Sequence, residues 1–252
     1  MSGYAKSVVA AYVIVFSALA LALTFSKAEI PYPLMPYLKF DFAEIPVMLA
    51  LMLGGLISGL TTEIIHWIGL SIARGWVLGP LMKFLAVVPM VFGFWLGIRI
   101  YKRKWTVRSV AMAFLLGIIV RVMVCAITNT IVLLFIAPEY IKFSGYALKA
   151  VGINVTSTTD ILLWTLALNG IFNALHVILS SIIAMLIFRA AATRLPSIVK
   201  KLGFQLRANK QAFRHPDSAQ LKGLFKFNSL LKAMSSGTPT IRDVMTTSMS
   251  SM

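Results

Sequence analysis

The segment from residue 161 to residue 190 reads ILLWTLALNGIFNALHVILSSIIAMLIFRA, and it decides the class of fold. It is longer than the roughly 20 apolar residues that a membrane-spanning helix needs. Its polar residues Asn169, Asn173, His176 and Ser180 follow one another at intervals of four, three and four residues, so in a helix they lie on one face. Amides and an imidazole are costly to expose to lipid. The segment therefore predicts a membrane helix whose polar face is turned towards the protein interior or a bound polar ligand.

The composition of the whole chain also indicates a membrane protein. Of its 252 residues, 59% are hydrophobic and 13% are charged, and the mean hydropathy is +0.86. A soluble domain carries about a quarter charged residues. The single cysteine, Cys125, excludes a disulfide framework within the chain. The first apolar run, residues 8–25, is longer than the apolar part of a secretion signal, so we expect a retained first helix.

The number of helices depends on one glycine pair. Apolar runs of spanning length cover residues 8–25, 81–100, 109–137 and 161–190. The run 45–72 is either one long helix or two helices separated by a turn at Gly54-Gly55. Glycine pairs commonly interrupt helices, which favours two. This interpretation gives six helices and places both termini on the same side of the membrane.

The distribution of charge agrees with six helices. Residues 99–108 hold five Lys and Arg with no acid, and residues 194–252 hold ten against two acids, whereas the segments 26–41 and 138–160 are balanced. Because positive loops stay in the cytoplasm, we expect cytoplasmic N- and C-termini. The predicted fold is an all-α, multi-pass membrane bundle of six helices over residues 1–190.

Residues 191–252 are predicted to form a basic cytoplasmic tail, partly amphipathic or disordered. Much of the net charge of +16 lies in this tail and the 99–108 loop, so it indicates topology and an anionic membrane surface rather than nucleic acid. Within the tail, residues 240–246 resemble the opening of a CBS domain.

Four pieces of sequence carry a resemblance to a known family. They are LKFDFAEIP at residues 38–46, the glycine-rich LALMLGGLISGL at 49–60, NTIVLL at 129–134 and FNALH at 172–176. Together they resemble the S-components of energy-coupling factor (ECF) vitamin transporters, most closely the riboflavin-specific members, over roughly residues 5–195. The resemblance implies a substrate-binding subunit of the cell membrane that works with a membrane coupling subunit and ATP-binding-cassette ATPases. The chain has no Gly-x-x-x-x-Gly-Lys-Ser/Thr phosphate loop of its own.

The resemblance also implies a binding site. Asn129, Asn173 and His176 match substrate contacts of the family, although a lysine is expected at position 176 in its riboflavin binders. An asparagine offers a donor and an acceptor together, which suits the imide edge of a flavin. Asn169 belongs to the same polar stripe. We expect riboflavin, or another vitamin or heterocycle, as transported ligand, with no cofactor and no metal.

The segment 26–41 supplies further candidates for the site. Tyr37 and Phe40 could stack on the ligand or belong to an aromatic belt at the membrane surface. Asp41 could contact the ligand, although capping of the second helix is the alternative that we favour.

Ionisable residues inside the predicted spans need partners. We expect Arg121 to pair with an internal acid such as Glu63. Glu63 and His66 are spaced as in a Glu-x-x-His metal motif, but a packing or gating pair is the preferred interpretation. A membrane-embedded enzyme using Glu63, His66 and His176 is the alternative from another functional class. Ser180 is expected to bond back to its own helix.

Ala18 and Ala22 stand four residues apart in the first helix, a spacing that permits close approach of another helix. In the family that this chain resembles, such a pair docks onto the coupling subunit. The alternative is packing within the bundle.

Overall fold

The computed structural model describes residues 3–101 and 106–194, and the predicted tail and CBS-like stretch lie outside this part. The elements follow in this order: α1 (Gly3–Phe25), β1 (Glu29–Tyr32), β2 (Met35–Asp41), α2 (Glu44–Gly54), α3 (Leu56–Arg74), α4 (Leu78–Ile100), α5 (Val107–Ile131), which continues into one π-helical turn (Val132–Ile136), α6 (Glu139–Ala150) and α7 (Thr158–Arg194).

The predicted helical membrane bundle is confirmed, with a difference in the helix count. In the part of the chain that the structure describes, five helices are long and apolar enough to cross a membrane. The sixth predicted helix, α2, has 11 residues and rises about 16 Å, roughly half the thickness of the hydrocarbon layer. The segments predicted as plain loops contain the β1–β2 hairpin and α6, so the chain is not purely α-helical.

The turn at the glycine pair is also confirmed. Gly55 has φ 85° and ψ −175°, a region essentially reserved for glycine. The chain therefore turns between α2 and α3 at the single connecting residue Gly55.

Helix α2 lies in the middle of the bundle, and its residues from Glu44 to Met52 are all buried. It packs against α1, α3 and α7, while α4 and α5 form the most extensive helix pair. The latter two approach closely because Gly93 faces α5, where a Cβ would meet the carbonyl oxygen of Leu116 at 2.5 Å. This packing encloses the side chains that α2 and α5 present to the interior.

The β1–β2 hairpin is antiparallel, with Glu29 opposite Asp41. It is seated on α6 and α7 through a small apolar cluster that includes Tyr32, Met35, Leu148 and Phe172. We refer to the end of the bundle that carries the hairpin and α6 as the hairpin end.

Candidate substrate-binding site

A cavity of about 710 Å³ opens at the hairpin end. The walls that α4, α5 and α7 form are each one helix face, with lining residues recurring at helical spacing. The lining residues from the hairpin, α4, α5 and α7 include Tyr37, Leu38, Lys39, Asp41, Gly79, Met82, Lys83, Ala86, Arg121, Cys125, Asn129, Thr165, Asn169, Phe172, Asn173 and His176. The volume is in the range of small-molecule sites.

Six of the seven predicted site residues line this cavity: Tyr37, Asp41, Asn129, Asn169, Asn173 and His176. Phe40 is not among the lining residues. It packs behind the wall, with its ring centroid 4.8 Å from that of Phe172 and 5.5 Å from that of His176. The structure thus brings together residues from the hairpin, α5 and α7.

Arg121 pairs with Glu44 and not with Glu63, so the expected partner was wrong. The guanidinium nitrogens Nη1 and Nη2 donate to the two carboxylate oxygens of Glu44 at 2.7 and 2.9 Å. Both side chains are buried, with exposed fractions of 2% and 1%. A charge pair with so little water around it depends on this two-pronged geometry and on further hydrogen bonds.

Those further bonds use every donor of Arg121. Its Nε donates to Asn173 Oδ1 at 2.8 Å, Nη1 also to Met90 Sδ at 3.3 Å, and Nη2 also to His176 Nδ1 at 3.2 Å. Ser180 donates to Glu44 Oε2 at 3.2 Å, which corrects the expectation that it bonds to its own helix. The guanidinium is therefore saturated by protein partners.

His176 connects the same network to the hairpin. Because a guanidinium can only donate, His176 Nδ1 accepts the bond from Arg121 Nη2. His176 Nε2 lies 3.1 Å from the main-chain oxygen of Asp41 and 3.3 Å from its main-chain nitrogen. Both ring nitrogens are therefore engaged, and His176 fastens the end of the hairpin to α7.

Asn173 and Asn129 differ in the hydrogen-bonding groups that they leave available for a ligand. Asn173 Nδ2 donates to Asn169, both to the main-chain oxygen at 2.9 Å and to the side-chain oxygen, so Asn173 is committed to the network. Asn129 Nδ2 donates to the main-chain oxygen of Cys125 at 2.7 Å, which leaves its second N–H and its carbonyl oxygen for a ligand.

Lys83 is a lining residue that the sequence analysis missed. It lies on α4, and its ammonium forms an ion pair with Asp41. The available signal was its position inside the apolar run 81–100, because an ionisable residue within a span is by default a functional candidate. Asp41 also accepts from the main-chain N–H of Ala43 at 2.7 Å. Ala43 is the N-cap residue of α2, and this helix has no side-chain cap, so Asp41 holds the residue before the helix and the favoured capping role was wrong.

Tyr37 connects the hairpin to α6. Its hydroxyl donates to Met35 Sδ at 3.3 Å and lies 3.3 Å from the Ser144 hydroxyl. Burial raises the pKa of the Tyr37 phenol, although the hydrogen bond with Ser144 acts against this rise. The phenol therefore stays protonated at neutral pH, and the contact closes one side of the cavity mouth.

Glu63 and His66 lie outside the cavity lining and bond to each other. His66 Nδ1 is 3.2 Å from Glu63 Oε2, and Nε2 is 3.0 Å from the Thr24 hydroxyl of α1. His176 belongs to the separate Arg121 network, so the three residues of the enzyme alternative do not form one site. Within residues 3–101 and 106–194, no group of three or more His, Cys, Asp or Glu side chains could hold a metal ion.

Ala18 and Ala22 are exposed on the outer surface of α1. Helix α1 faces the bundle with Val13, Ser17 and Ala20, which are buried. The exposure of Ala18 and Ala22 argues against the alternative that they pack within the bundle.

A membrane helical bundle that encloses a polar-edged cavity defines a small-molecule-binding membrane protein, and comparison with known proteins specifies which kind. The chain is 30% identical over 183 residues to the riboflavin transporter RibU of Staphylococcus aureus (strain TCH60), covering 72% of this chain and 89% of that protein. It is 24% identical over 180 residues to the riboflavin transporter FmnP of Bacillus subtilis (strain 168), covering 67% and 85% of the two chains.

A solved structure, that of the S component of a bacterial ECF transporter, matches with a TM-score of 0.56 and 26% identity over 75% of this chain and 98% of that one. No family model matches the sequence. The chain belongs to the S components of ECF transporters and is most similar to their riboflavin-specific members. It is a multi-pass membrane protein.

Proposed function

We propose that this protein captures riboflavin in the cavity at the hairpin end, on the extracellular side, for ATP-driven uptake by a coupling subunit and ATP-binding-cassette ATPases. The observation that carries the proposal is the cavity of about 710 Å³ with Asn129 on its wall, in a chain 30% identical to a riboflavin transporter. It acts as a binding subunit and not as an enzyme, in keeping with relatives that are transporters.

The chemistry of the cavity suits a flavin. A flavin has a flat, largely apolar ring system with an imide edge, and such ligands need apolar walls with a few placed polar groups. Leu38, Met82, Val132 and Phe172 provide apolar wall. Asn129 retains a donor and an acceptor for the imide edge.

The binding experiment uses the purified protein. We expect it to carry a yellow, fluorescent ligand or, after that ligand is removed, to quench the fluorescence of added riboflavin. Asn129→Ala should weaken this quenching, while Thr128→Val should not, because the Thr128 hydroxyl bonds to carbonyls of its own helix and does not line the cavity. A wild-type protein that does not quench riboflavin but binds another vitamin would move the proposal to that ligand.

The exposed face of α1 supports docking onto a partner. Ala18 and Ala22 are exposed and carry no polar atom for a vitamin, so their small size matters where another helix approaches. Ala18→Trp should leave riboflavin affinity within about twofold and abolish ATP-driven uptake by cells that contain the partner subunits. Val15→Trp, on the same exposed face of α1, tests how far this surface extends. Normal uptake with Ala18→Trp would refute docking through this face.

A further inference from the structure

We infer that Lys83 contacts the bound ligand directly: its ammonium donates to an electron-rich acceptor on the edge of the flavin. This inference rests on the proposed function, because it assigns a role within the same cavity. It concerns a residue of α4, whereas the sequence analysis assigned no site residue to that helix.

The position of Lys83 places it in the wall. Gly79, Met82, Lys83 and Ala86 line the cavity at intervals of three and one and three residues, which makes them one face of α4. The side chain of Lys83 is 19% exposed, compared with 2% for Arg121. Of these two cations in the wall, Lys83 is the accessible one.

The hydrogen-bonding capacity of Lys83 is not used up. An ammonium has three N–H donors, and among the described residues its hydrogen-bond partner is the carboxylate of Asp41. Arg121, in contrast, spends all five donors on Glu44, Asn173, His176 and Met90. Lys83 therefore retains donors for a ligand, while the guanidinium has none left.

The positive charge of Lys83 indicates which kind of ligand group it would contact. A cation in a largely apolar cavity interacts strongly with carbonyl oxygens and with anionic forms of a ligand. The pyrimidine edge of a flavin carries such acceptors, and reduction of the flavin adds negative charge there. Asp41 balances the charge of the ammonium, which allows a lysine to remain within an apolar helix.

The test measures riboflavin affinity by fluorescence quenching. Lys83→Met should weaken binding about tenfold or more, the size of one charge-assisted hydrogen bond. Lys142→Met is the matched control, because Lys142 is exposed on α6 and does not line the cavity; it should change affinity less than twofold. Equal affinities of Lys83→Met and wild type would overturn the inference.

A second variant separates ligand contact from a purely structural ion pair. Lys83→Met leaves Asp41 without its ion-pair partner, so the double variant Lys83→Met/Asp41→Asn removes both charges and keeps an amide oxygen that can accept from the main-chain N–H of Ala43. If Lys83 contacts the flavin, the double variant binds as weakly as Lys83→Met. Recovery of wild-type affinity in the double variant would show that Lys83 acts only through Asp41 and would overturn the inference.

The reduction potential of bound riboflavin provides an independent test. A cation at the pyrimidine edge stabilises reduced, anionic flavin, so the reduction potential of bound riboflavin should fall in the double variant and stay unchanged in Lys142→Met. An unchanged potential in the double variant would overturn the inference. Failure of the wild-type protein to bind riboflavin at all is a distinct result, which would refute the proposed function itself.

Discussion

Replacing Arg121 with methionine should destabilise the protein strongly. The substitution keeps an unbranched side chain but removes the partner of Glu44, whose side chain is 1% exposed. One donor to that carboxylate, the Ser180 hydroxyl, would remain. Asn173 and His176 would each lose a charged donor. The result is a buried carboxylate that has lost its ion-pair partner and keeps the neutral Ser180 hydroxyl as hydrogen-bond donor, with His176 Nδ1 3.5 Å from its Oε1.

The magnitude follows from the burial of the pair. Removing one partner of a buried ion pair costs about 3–5 kcal/mol of unfolding free energy, whereas replacing both partners with apolar residues is often close to neutral. We therefore expect Arg121→Met to lose about 3–5 kcal/mol and the double variant Arg121→Met/Glu44→Leu to recover most of that loss. Arg99→Met is the control, because Arg99 is exposed and stacks over Trp95 at 4.7 Å; it should cost less than about 1 kcal/mol.

The assay is reversible unfolding of the ligand-free protein in mixed micelles with increasing sodium dodecyl sulfate, followed by circular dichroism and tryptophan fluorescence. A loss below about 1 kcal/mol for Arg121→Met would refute the reasoning, because it would mean that Glu44 is protonated or hydrated in the folded protein. A double variant less stable than Arg121→Met would refute it as well. In that case the loss of stability in Arg121→Met would not come from leaving the Glu44 charge without a partner.

Three further substitutions test other parts of the structure. Gly55→Ala should lower the unfolding free energy by about 1–3 kcal/mol in the same assay, since φ of 85° with an extended ψ strains any residue with a Cβ; unchanged stability would mean that the turn relaxes. Asn129→Ala should weaken riboflavin binding by about 1–3 kcal/mol through the loss of a buried ligand hydrogen bond, and equal dissociation constants in equilibrium titrations would count against contact with the imide edge. Tyr37→Phe should speed riboflavin dissociation in stopped-flow fluorescence, because the link to Ser144 is lost. Since burial raises the phenol pKa, the phenol stays protonated and the link to Ser144 persists across neutral pH. A dissociation rate that changes between pH 6 and 8 in the wild type but not in Tyr37→Phe would contradict the raised pKa.

Local patterns in the sequence were sufficient for the membrane fold. Apolar length predicted the long helices, and the glycine pair predicted the reversal between α2 and α3. The stripe that includes Asn169, Asn173 and His176 was predicted to face inward, and all three line the cavity. These features depend on residues a few positions apart, for which helical periodicity and backbone conformation give direct rules.

The same local rules did not predict the short elements at the hairpin end. The β1–β2 hairpin and α6 lie in segments whose charges are balanced and whose apolar runs are short. The hairpin is held by Tyr32 and Met35 against Leu148 of α6 and Phe172 of α7. Tertiary packing and not local propensity determines such elements.

The partners of the charged residues were decided by the tertiary structure alone. Glu63 lies inside a predicted helix and Glu44 directly before another, and no local pattern distinguishes which of them meets Arg121. The short helix α2 runs through the centre of the bundle and carries Glu44 to the guanidinium, while Glu63 bonds to His66 beside α1. The sequence determined by itself that an arginine inside a span needs an acid, because an isolated charge is too costly in lipid. The acid that pairs with it depends on contacts between segments far apart in the chain. Only the folded bundle brings those segments within hydrogen-bonding distance.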